Sequence, residues 1–430
     1  DGNGEKDSLI FNAGFGPAEK RTLKIFNNDA APVGFEQRTQ AEISIKEGGA
    51  WEERKYIGGA FKNVQAVTPP PAYTDHSEFI RYEGPGIESD LVGYRVYLDW
   101  RNGFDIFGKK VPDMVLQDVG QDGYDSYHEM ADWGMDVLKV GDAAGMGGYG
   151  YWDGEKMHRV ADVEQRSVKV LDNGPVYSQL EIFYEGWKAG KATTDLSARL
   201  AMQAGSRLVH TRLKMSDDLG KIAVGIVKHP DTTLLQGTVD ISGHAWTYVA
   251  SWGKQSLNDD HLGMVVLFKR GDRSEQAEDD HNYVSVLNSR GGQVEYYFGA
   301  VWEQEPNGIA TEDAFRELLE KEAEKLTLPL RLRMETVKTA GEIASGGPQQ
   351  WSRRLAASEM ARRGDSLAYD GYDKISNRPA QWTYTTGLLA QALDDVTLAG
   401  GSDEFAGWAA DTIDSYITDE GEILSLIHIS

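Results

Sequence analysis

Residues 118–154, DVGQDGYDSYHEMADWGMDVLKVGDAAGMGGYGYWDG, are the part of this chain best equipped for chemistry. They bring Tyr124, Tyr127, His128, Glu129, Asp132, Asp136 and Lys139 together beside a glycine-rich run from Gly141 to Gly150. A phenol, an imidazole, carboxylates and an amine at close spacing are the usual kit for moving protons. The glycines would let the backbone approach a ligand closely, and the aromatic rings offer flat faces for sugars. Spacing alone leaves a second reading open, in which His128 is the hydrogen-bonded partner of a neighbouring carboxylate. GDAAGMGG resembles a phosphate loop only loosely. It lacks the Gly-Lys-Ser/Thr ending, which excludes that reading.

Two other groups are candidates for binding. Downstream come His229 in VKHP, His244 and Trp246 in GHAWTY, and Trp252, Lys254, Asp259, Asp260 and His261 in SWGKQSLNDDH. Asp259, Asp260 and His261 could ligate a divalent cation, but a solvated loop is the simpler reading, so no metal and no cofactor is expected. Upstream, Arg81, Arg95 and Arg101 sit in strand-like segments with Tyr82, Tyr94, Tyr97 and Trp100. Each arginine could hold a substrate carboxylate bidentately or stabilise a buried carboxylate such as Asp99 or Asp105.

The elements that must position these residues read as β through about residue 340. In QLEIFYE, Leu180, Ile182 and Tyr184 alternate with polar neighbours, and IAVGIV (222–227), WTYVAS (246–251), GMVVLF (263–268), VEYYFGAVW (294–302) and LRLRMETV (330–337) repeat the period of two. LDNGPV (171–176) and NSRGGQ (288–293) punctuate them, the latter as a hairpin turn. Many strands with wide Trp and Tyr usage predict a large antiparallel sandwich. One helix interrupts them: Thr311 caps EDAFRELLEKEAEKL, with Phe315, Leu318, Leu319, Ala323 and Leu326 on one face. After the Gly-rich linker 339–350 the pattern turns helical. Tyr384, Leu388, Leu389, Ala392, Leu393 and Val396 form one stripe; Phe405, Trp408, Ala409, Thr412, Ile413 and Tyr416 form another.

Bulk composition narrows the partners. Lys and Arg number 44 against 68 Asp and Glu, a net charge of −24. Such a surface repels nucleic acid and anionic lipid, and an anionic substrate would need local Arg or Lys. No run of eighteen apolar residues is present to span a membrane. Without cysteine, disulfides, thiolate metal sites and a Cys nucleophile are excluded. The chain opens within an Asp/Gly turn, DGNGEKD, and its last residues, Leu424 to Ser430, read as translated sequencing adapter.

On Tyr127-His128-Glu129, Gly134-Met135-Asp136, Lys139-Val140-Gly141 and Gly145-Met146-Gly147-Gly148 the sequence resembles a bacterial family, domain of unknown function 4861. GYRVYLDWRNGFDIFGKK (93–110), VLDNGPVYSQLEIFY and WTYVASWGKQSLNDDHLGMVVLF are similar to the same family, over roughly residues 1–340. The resemblance implies a galactose-mutarotase-like β-supersandwich (1–338) whose opening strands precede this sequence. It also implies a periplasmic or secreted protein, and an oligosaccharide dehydratase acting on uronic saccharides. The segment 351–423 resembles the start of glycoside hydrolase family 105, through Trp382-x-Tyr384-x-x-Gly387-Leu388 and Tyr416-Ile417-x-Asp419-x-x-Gly421-x-Ile423. That likeness implies the first helices of an (α/α)6 barrel whose catalytic aspartates lie further on, so Asp411, Asp414 and Asp419 are not substitutes.

Together these readings give an expected mechanism. The C5 proton of a uronate is weakly acidic, so elimination needs a cation on the carboxylate, a base at C5 and an acid for the leaving oxygen. The expected base is His128 or Tyr127, the acid the other of these or Lys139, and the carboxylate clamp Arg95 or Arg81. Tyr124, Asp136, Trp252, Lys254 and His229 complete the expected binding set. The alternatives are a non-catalytic sugar-binding module, and an epimerase or mutarotase in which His229 or His244 matters more.

Overall fold

The computed structural model describes residues 35–124, 126–328, 347–364, 384–399 and 403–414. The chain divides into two compact units, Asp1–Leu328 and Pro329–Ser430. The strand expected in LRLRMETV and most of the 339–350 linker lie outside the described residues, as do both chain ends.

The first unit is antiparallel β, as its alternating pattern predicts. A nine-stranded sheet is formed by Ala66–Val67 (β4), Gln165–Asn173 (β11), Tyr177–Ala189 (β12), Ala192–Gln203 (β13), Leu208–Met215 (β14), Thr233–Ile241 (β16), His244–Lys254 (β17), His261–Lys269 (β18) and Gln293–Trp302 (β21). Its order is β16-β17-β18-β21-β14-β13-β12-β11-β4. Leu180, Ile182, Tyr184, Leu196, Val209, Met264 and Phe298 point to one face and build the main core. Two five-stranded sheets pack on that face. One runs Thr39–Glu42 (β1), Gly86–Ser89 (β5), Val92–Val96 (β6), Phe104–Lys109 (β7) and Gly134–Asp136 (β8); the other contains Met146–Trp152 (β9), Met157–Arg159 (β10), Lys221–Val227 (β15), Arg273–Glu278 (β19) and Asn282–Asn288 (β20). Ser44–Glu52 (β2) and Lys55–Asn63 (β3) form a separate hairpin.

Helix α1, Glu312–Thr327, begins where expected, with Thr311 Oγ1 accepting from Ala314 N–H at 3.4 Å. It buries Phe315, Leu319 and Ala323 on the other face of the nine-stranded sheet, against Trp246, Tyr248, Ala250, Trp252, Val265 and Leu267. Strand β17 is therefore buried on both sides, its even-numbered residues under α1 and Val249 in the main core.

Three expectations about local structure are corrected. NSRGGQ does turn, through paired Arg290 and Gln293, but β20 and β21 lie in different sheets, so it is a crossover and not a hairpin. Arg81 lies in a one-turn 3-10 segment, Arg81–Glu83, and Arg101 in the turn after β6, so only Arg95 occupies a strand. The glycine-rich run is not a ligand loop either: Met146–Gly150 is buried strand. A Cβ on Gly145 (φ 76°) would stand 1.8 Å from the Phe104 carbonyl oxygen, and one on Gly147 (φ 74°) 2.5 Å from Phe298. These glycines let sheet approach sheet.

In the second unit, Gly347–Arg363 (α2), Tyr384–Leu398 (α3) and Asp403–Asp414 (α4) pack through Ala356, Ala390, Leu393, Phe405 and Ala409. The predicted α4 stripe holds at Phe405, Ala409 and Thr412, whereas Ile413 is exposed. On α3 the stripe is rotated. Ala390 is buried with Leu393, while Leu388 and Ala392 face outward. Among the described residues no helix is long and apolar enough to cross a membrane.

Candidate active site

The sheet formed by β1 and β5–β8 has two unlike faces. Ile87, Tyr94, Ile106 and Met135 enter the main core. The cross-strand partners on the other face are Glu88 and Gly93, Arg95 and Asp105, Phe107 and Asp136. A layer of irregular chain, residues 111–133, covers that face through Val115, Leu116, Val119 and Tyr127. Charges so enclosed must be paired or neutralised, and here they pin the layer down. Glu88 accepts from Lys109 Nζ at 2.8 Å and from the Val115 and Leu116 N–H groups. Arg81, fully buried, pairs with Glu42 and donates to the carbonyls of Leu116 and Val119.

Arg95 is the hub. Its guanidinium donates to Asp105 at 2.7 Å, Asp136 at 2.6 Å and the hydroxyls of Tyr127 at 3.0 Å and Tyr97 at 3.1 Å. It is 1 % exposed. Both proposed clamps, Arg81 and Arg95, are therefore sealed inside the protein, with their donors on protein groups save Arg81 Nε, which is buried without a partner. Neither presents a face to a substrate carboxylate, which corrects the expectation. The alternative reading holds instead: Arg95 neutralises Asp105, and Arg101 holds Asp99 at 2.5 Å and Glu83 at 2.8 Å.

Where the layer thins, its 3-10 turn Ser126–His128 brings the central motif to the surface. Tyr127 is buried with its hydroxyl on Arg95, whereas the His128 side chain keeps 30 % exposure and places Nε2 3.5 Å from Asp136 Oδ2. The His128 ring lies 4.6 Å from the Tyr127 ring and 4.9 Å from that of Tyr124; a second imidazole, His76, meets Tyr124 edge-on at 4.6 Å. An open cleft of about 540 Å³ begins here, lined by Lys55, His76, Glu78, Asp122, Gly123, Tyr124 and Ser126. Trp100, half exposed, donates to Asp75 beside His76 at 3.1 Å.

The electrostatics divide the groups by task. Burial, then the Asp105 carboxylate, push Asp136 well above the usual carboxylate range despite Arg95. Burial also raises Tyr127 and, less deeply, Tyr124, so both phenols keep their protons at neutral pH. The Tyr127 hydroxyl is moreover held by Arg95 at 3.0 Å. Burial would raise Glu83 too, but Arg95, Arg101 and the His76 N–H outweigh it and hold Glu83 below its ordinary 4.5. A lowered carboxylate adds stability that is present above the unfolded value and is lost as pH falls through the folded one. Glu83→Gln is therefore expected to flatten the loss of stability below about pH 4.5, read by thermal melts from pH 6 to 3. An unchanged acid limb would count against an ionised Glu83.

The backbone here is also strained. His76, Glu78, Tyr82 and Glu83 have φ of 54°, 58°, 36° and 69°, a left-handed region that non-glycine residues rarely occupy. Such strain concentrates at functional sites.

Other expected residues stand elsewhere. The Lys139 carbonyl oxygen lies 2.9 Å from His229 Nε2, and neither residue lines the cleft. Trp252 is no sugar platform: it is buried under α1, stacked on Phe315 at 5.0 Å and His261 at 5.3 Å. Lys254 is exposed at the end of β17, opposite His261. Asp260 is engaged by Trp302 and Gln304, and His261 by Glu303. Among the described residues no group of three His, Asp or Glu side chains is placed to hold a metal. Sequence reasoning missed His76, Glu78, Lys55 and Glu83. His76 and Glu78 lie in YTDHSEF, far from 118–154, and nothing local marks their role.

The profile of a family described as "Domain of unknown function (DUF4861)" matches residues 1–332. The chain belongs to that family. No curated protein matches the chain. Among solved structures, this DUF4861 protein is similar to a putative aldose 1-epimerase from Klebsiella pneumoniae, at 10 % identity and TM-score 0.31, over 67 % of this chain and 96 % of that one. It is also similar to a TPR-domain containing protein from Parabacteroides distasonis, at 10 % identity and TM-score 0.27, over 87 % and 70 %.

Proposed function

We propose that the β unit is a carbohydrate-active enzyme whose cleft moves protons at a sugar carbon, with His128 as the base. The observation that carries this reading is the His76–Tyr124–His128 cluster: His76 and Tyr124 line the open cleft, His128 stands behind Tyr124 at 4.9 Å without lining it, and Asp136 lies next to His128. A partly exposed imidazole can take a proton from a bound ligand. Protonated Tyr124 beside it can return one to a leaving oxygen. Tyr127 and Asp136, both buried, position the imidazole. Aromatic rings and hydroxyl-bearing side chains in a concave site suit a saccharide.

The reaction favoured is elimination from an oligosaccharide containing uronic acid, as a dehydratase or lyase. Arg81 and Arg95 being committed, Lys55 is the cation left to meet the substrate carboxylate. It would exchange its 2.9 Å ion pair with Glu78 for that role. The acidic side chains around the cleft, Glu78 and Asp122, favour a second reading with an uncharged sugar and epimerase or mutarotase chemistry. On either reading the protein works in the periplasm or outside the cell, and the helical unit starts a glycoside hydrolase of family 105 type.

Mass spectrometry of uronic oligosaccharides incubated with the protein separates these readings. A dehydratase yields products lighter by one water, and a lyase yields an unsaturated fragment. An epimerase leaves every mass unchanged but alters the anomeric or ring-proton signals in NMR. Unchanged masses and spectra, with the protein folded, would leave a binding module and overturn the enzymatic reading.

A further inference from the structure

The nine-stranded sheet has a second feature, on the face opposite the main core and away from α1. Side chains on β11, β12, β13, β14 and β21 meet there in one row across the strands: Lys169, Glu181, Arg199, Arg212 and Glu295 are successive register partners. Lys269 of β18 extends the row, with Nζ 3.2 Å from Glu295. Four cations thus stand with two carboxylates on a chain whose net charge is −24. The carboxylates are occupied. Glu181 accepts from Arg199 at 2.9 Å and Ser197 at 2.7 Å, and Glu295 pairs with His210 at 2.6 Å as well as with Lys269. Arg212 has no ion-pair partner among the described residues. Yet it faces Arg199 directly, and like charges opposite one another destabilise a sheet. Glu295, opposite Arg212 on its other side, offsets part of that cost but is already held by His210 and Lys269. An anionic ligand would relieve the rest.

At the end of the row nearer α1, aromatic rings join it to the cluster that α1 covers. His210 lies parallel to Tyr297 with centroids 4.4 Å apart and planes 8° apart, and Trp246 meets Tyr297 edge-on at 5.5 Å. Tyr177, half-buried on β12, is close enough to Arg212 to feel its charge. A guanidinium without an ion pair among the described residues, Arg212, next to the imidazole of His210 matches a sugar ring that carries an acidic substituent. From β11 to β21 the row crosses four interstrand steps, roughly 19 Å at about 4.8 Å each. That length suits a chain of several sugars better than a single one.

We propose that this open face binds an acidic polysaccharide, its carboxylate or sulfate groups meeting Arg199, Arg212 and Lys169 and its rings lying along His210 and Tyr297. The face is distinct from the cleft and does not depend on the chemistry there. It would hold a polymer on the protein independently of any reaction.

The test is affinity electrophoresis of the full chain through gels containing polygalacturonate, dextran sulfate or neutral dextran. Retardation by polygalacturonate identifies carboxylates as the recognised group, retardation by dextran sulfate alone identifies sulfates, and neutral dextran should have no effect. In Arg199→Ala/Arg212→Ala the retardation should weaken about tenfold or more, the scale of one charge-assisted hydrogen bond. Arg199→Lys/Arg212→Lys should retain most of it. His128→Ala should be retarded like the unaltered protein, so failure of the cleft's chemistry and failure of this face are told apart. Retardation that is absent, equal in neutral dextran, or unchanged in the folded double alanine variant would overturn the proposal.

Discussion

His128→Ala is expected to slow turnover of uronic oligosaccharides by about 10²- to 10⁴-fold, the usual contribution of a positioned acid or base. Stability should move by no more than about 1 kcal/mol, because the side chain is partly exposed and stands in no large apolar cluster. The contrast between the two readouts matters more than either alone. Tyr127→Phe would disturb the Arg95 hub, and Asp136→Asn would disturb Arg95 as well as His128, so a lost rate in those variants mixes chemistry with folding. His128 meets the hub through its 3.5 Å approach to Asp136 and its ring contact with Tyr127, and donates nothing to Arg95. Lys139→Ala supplies the matched control, since its side chain is exposed and its backbone carbonyl meets His229, not the His76–Tyr124–His128 cluster, and it should leave the rate unchanged. The measurement is product formation by mass spectrometry, alongside melting curves for each variant. A His128→Ala protein that turns over at the original rate would move the chemistry out of this cleft.

How much of this could be read from the sequence depended on whether the signal was local. Period-two runs such as QLEIFYE and GMVVLF reported burial on one face, and they are strands with Leu180, Ile182 and Met264 in the core. The cap and stripe of α1 were equally local. The cluster of Tyr124, Tyr127 and His128 was legible because all three lie within five residues of sequence. His76 was not, because only the tertiary fold brings it to Tyr124. Arg95 was misread for a physical reason. An arginine in an alternating strand looks like the solvent side of a sheet, whereas here the polar side of the sheet is itself covered by residues 111–133. Trp252 misled in the opposite direction: β17 is buried on both faces once α1 docks, so alternation could not say which aromatic stayed open. The glycines of 145–150 carried a true signal of close approach, but the approaching partner is Phe104 and Phe298 of the protein itself.

Arg95→Met is expected to be the most destabilising single change in the site, costing about 3–5 kcal/mol. Methionine keeps an apolar stem of similar length, so the change removes the charge and its donors more than it removes packing. Left behind are Asp105 and Asp136, each 1 % exposed, together with the hydroxyls of Tyr97 and Tyr127, which lose a donor that no water can replace at that depth. Removing one partner from a buried ionic cluster costs far more than the intact cluster contributes, because the uncompensated charge remains. It follows that Arg95→Met/Asp105→Asn/Asp136→Asn should recover much of the loss. Urea denaturation of the two variants against the unaltered protein reads both numbers. A substrate-clamping arginine at an open site would behave otherwise, raising KM with stability almost intact. A loss below about 1 kcal/mol in Arg95→Met would mean that the cluster is hydrated and not sealed, and would restore Arg95 as a candidate for substrate binding.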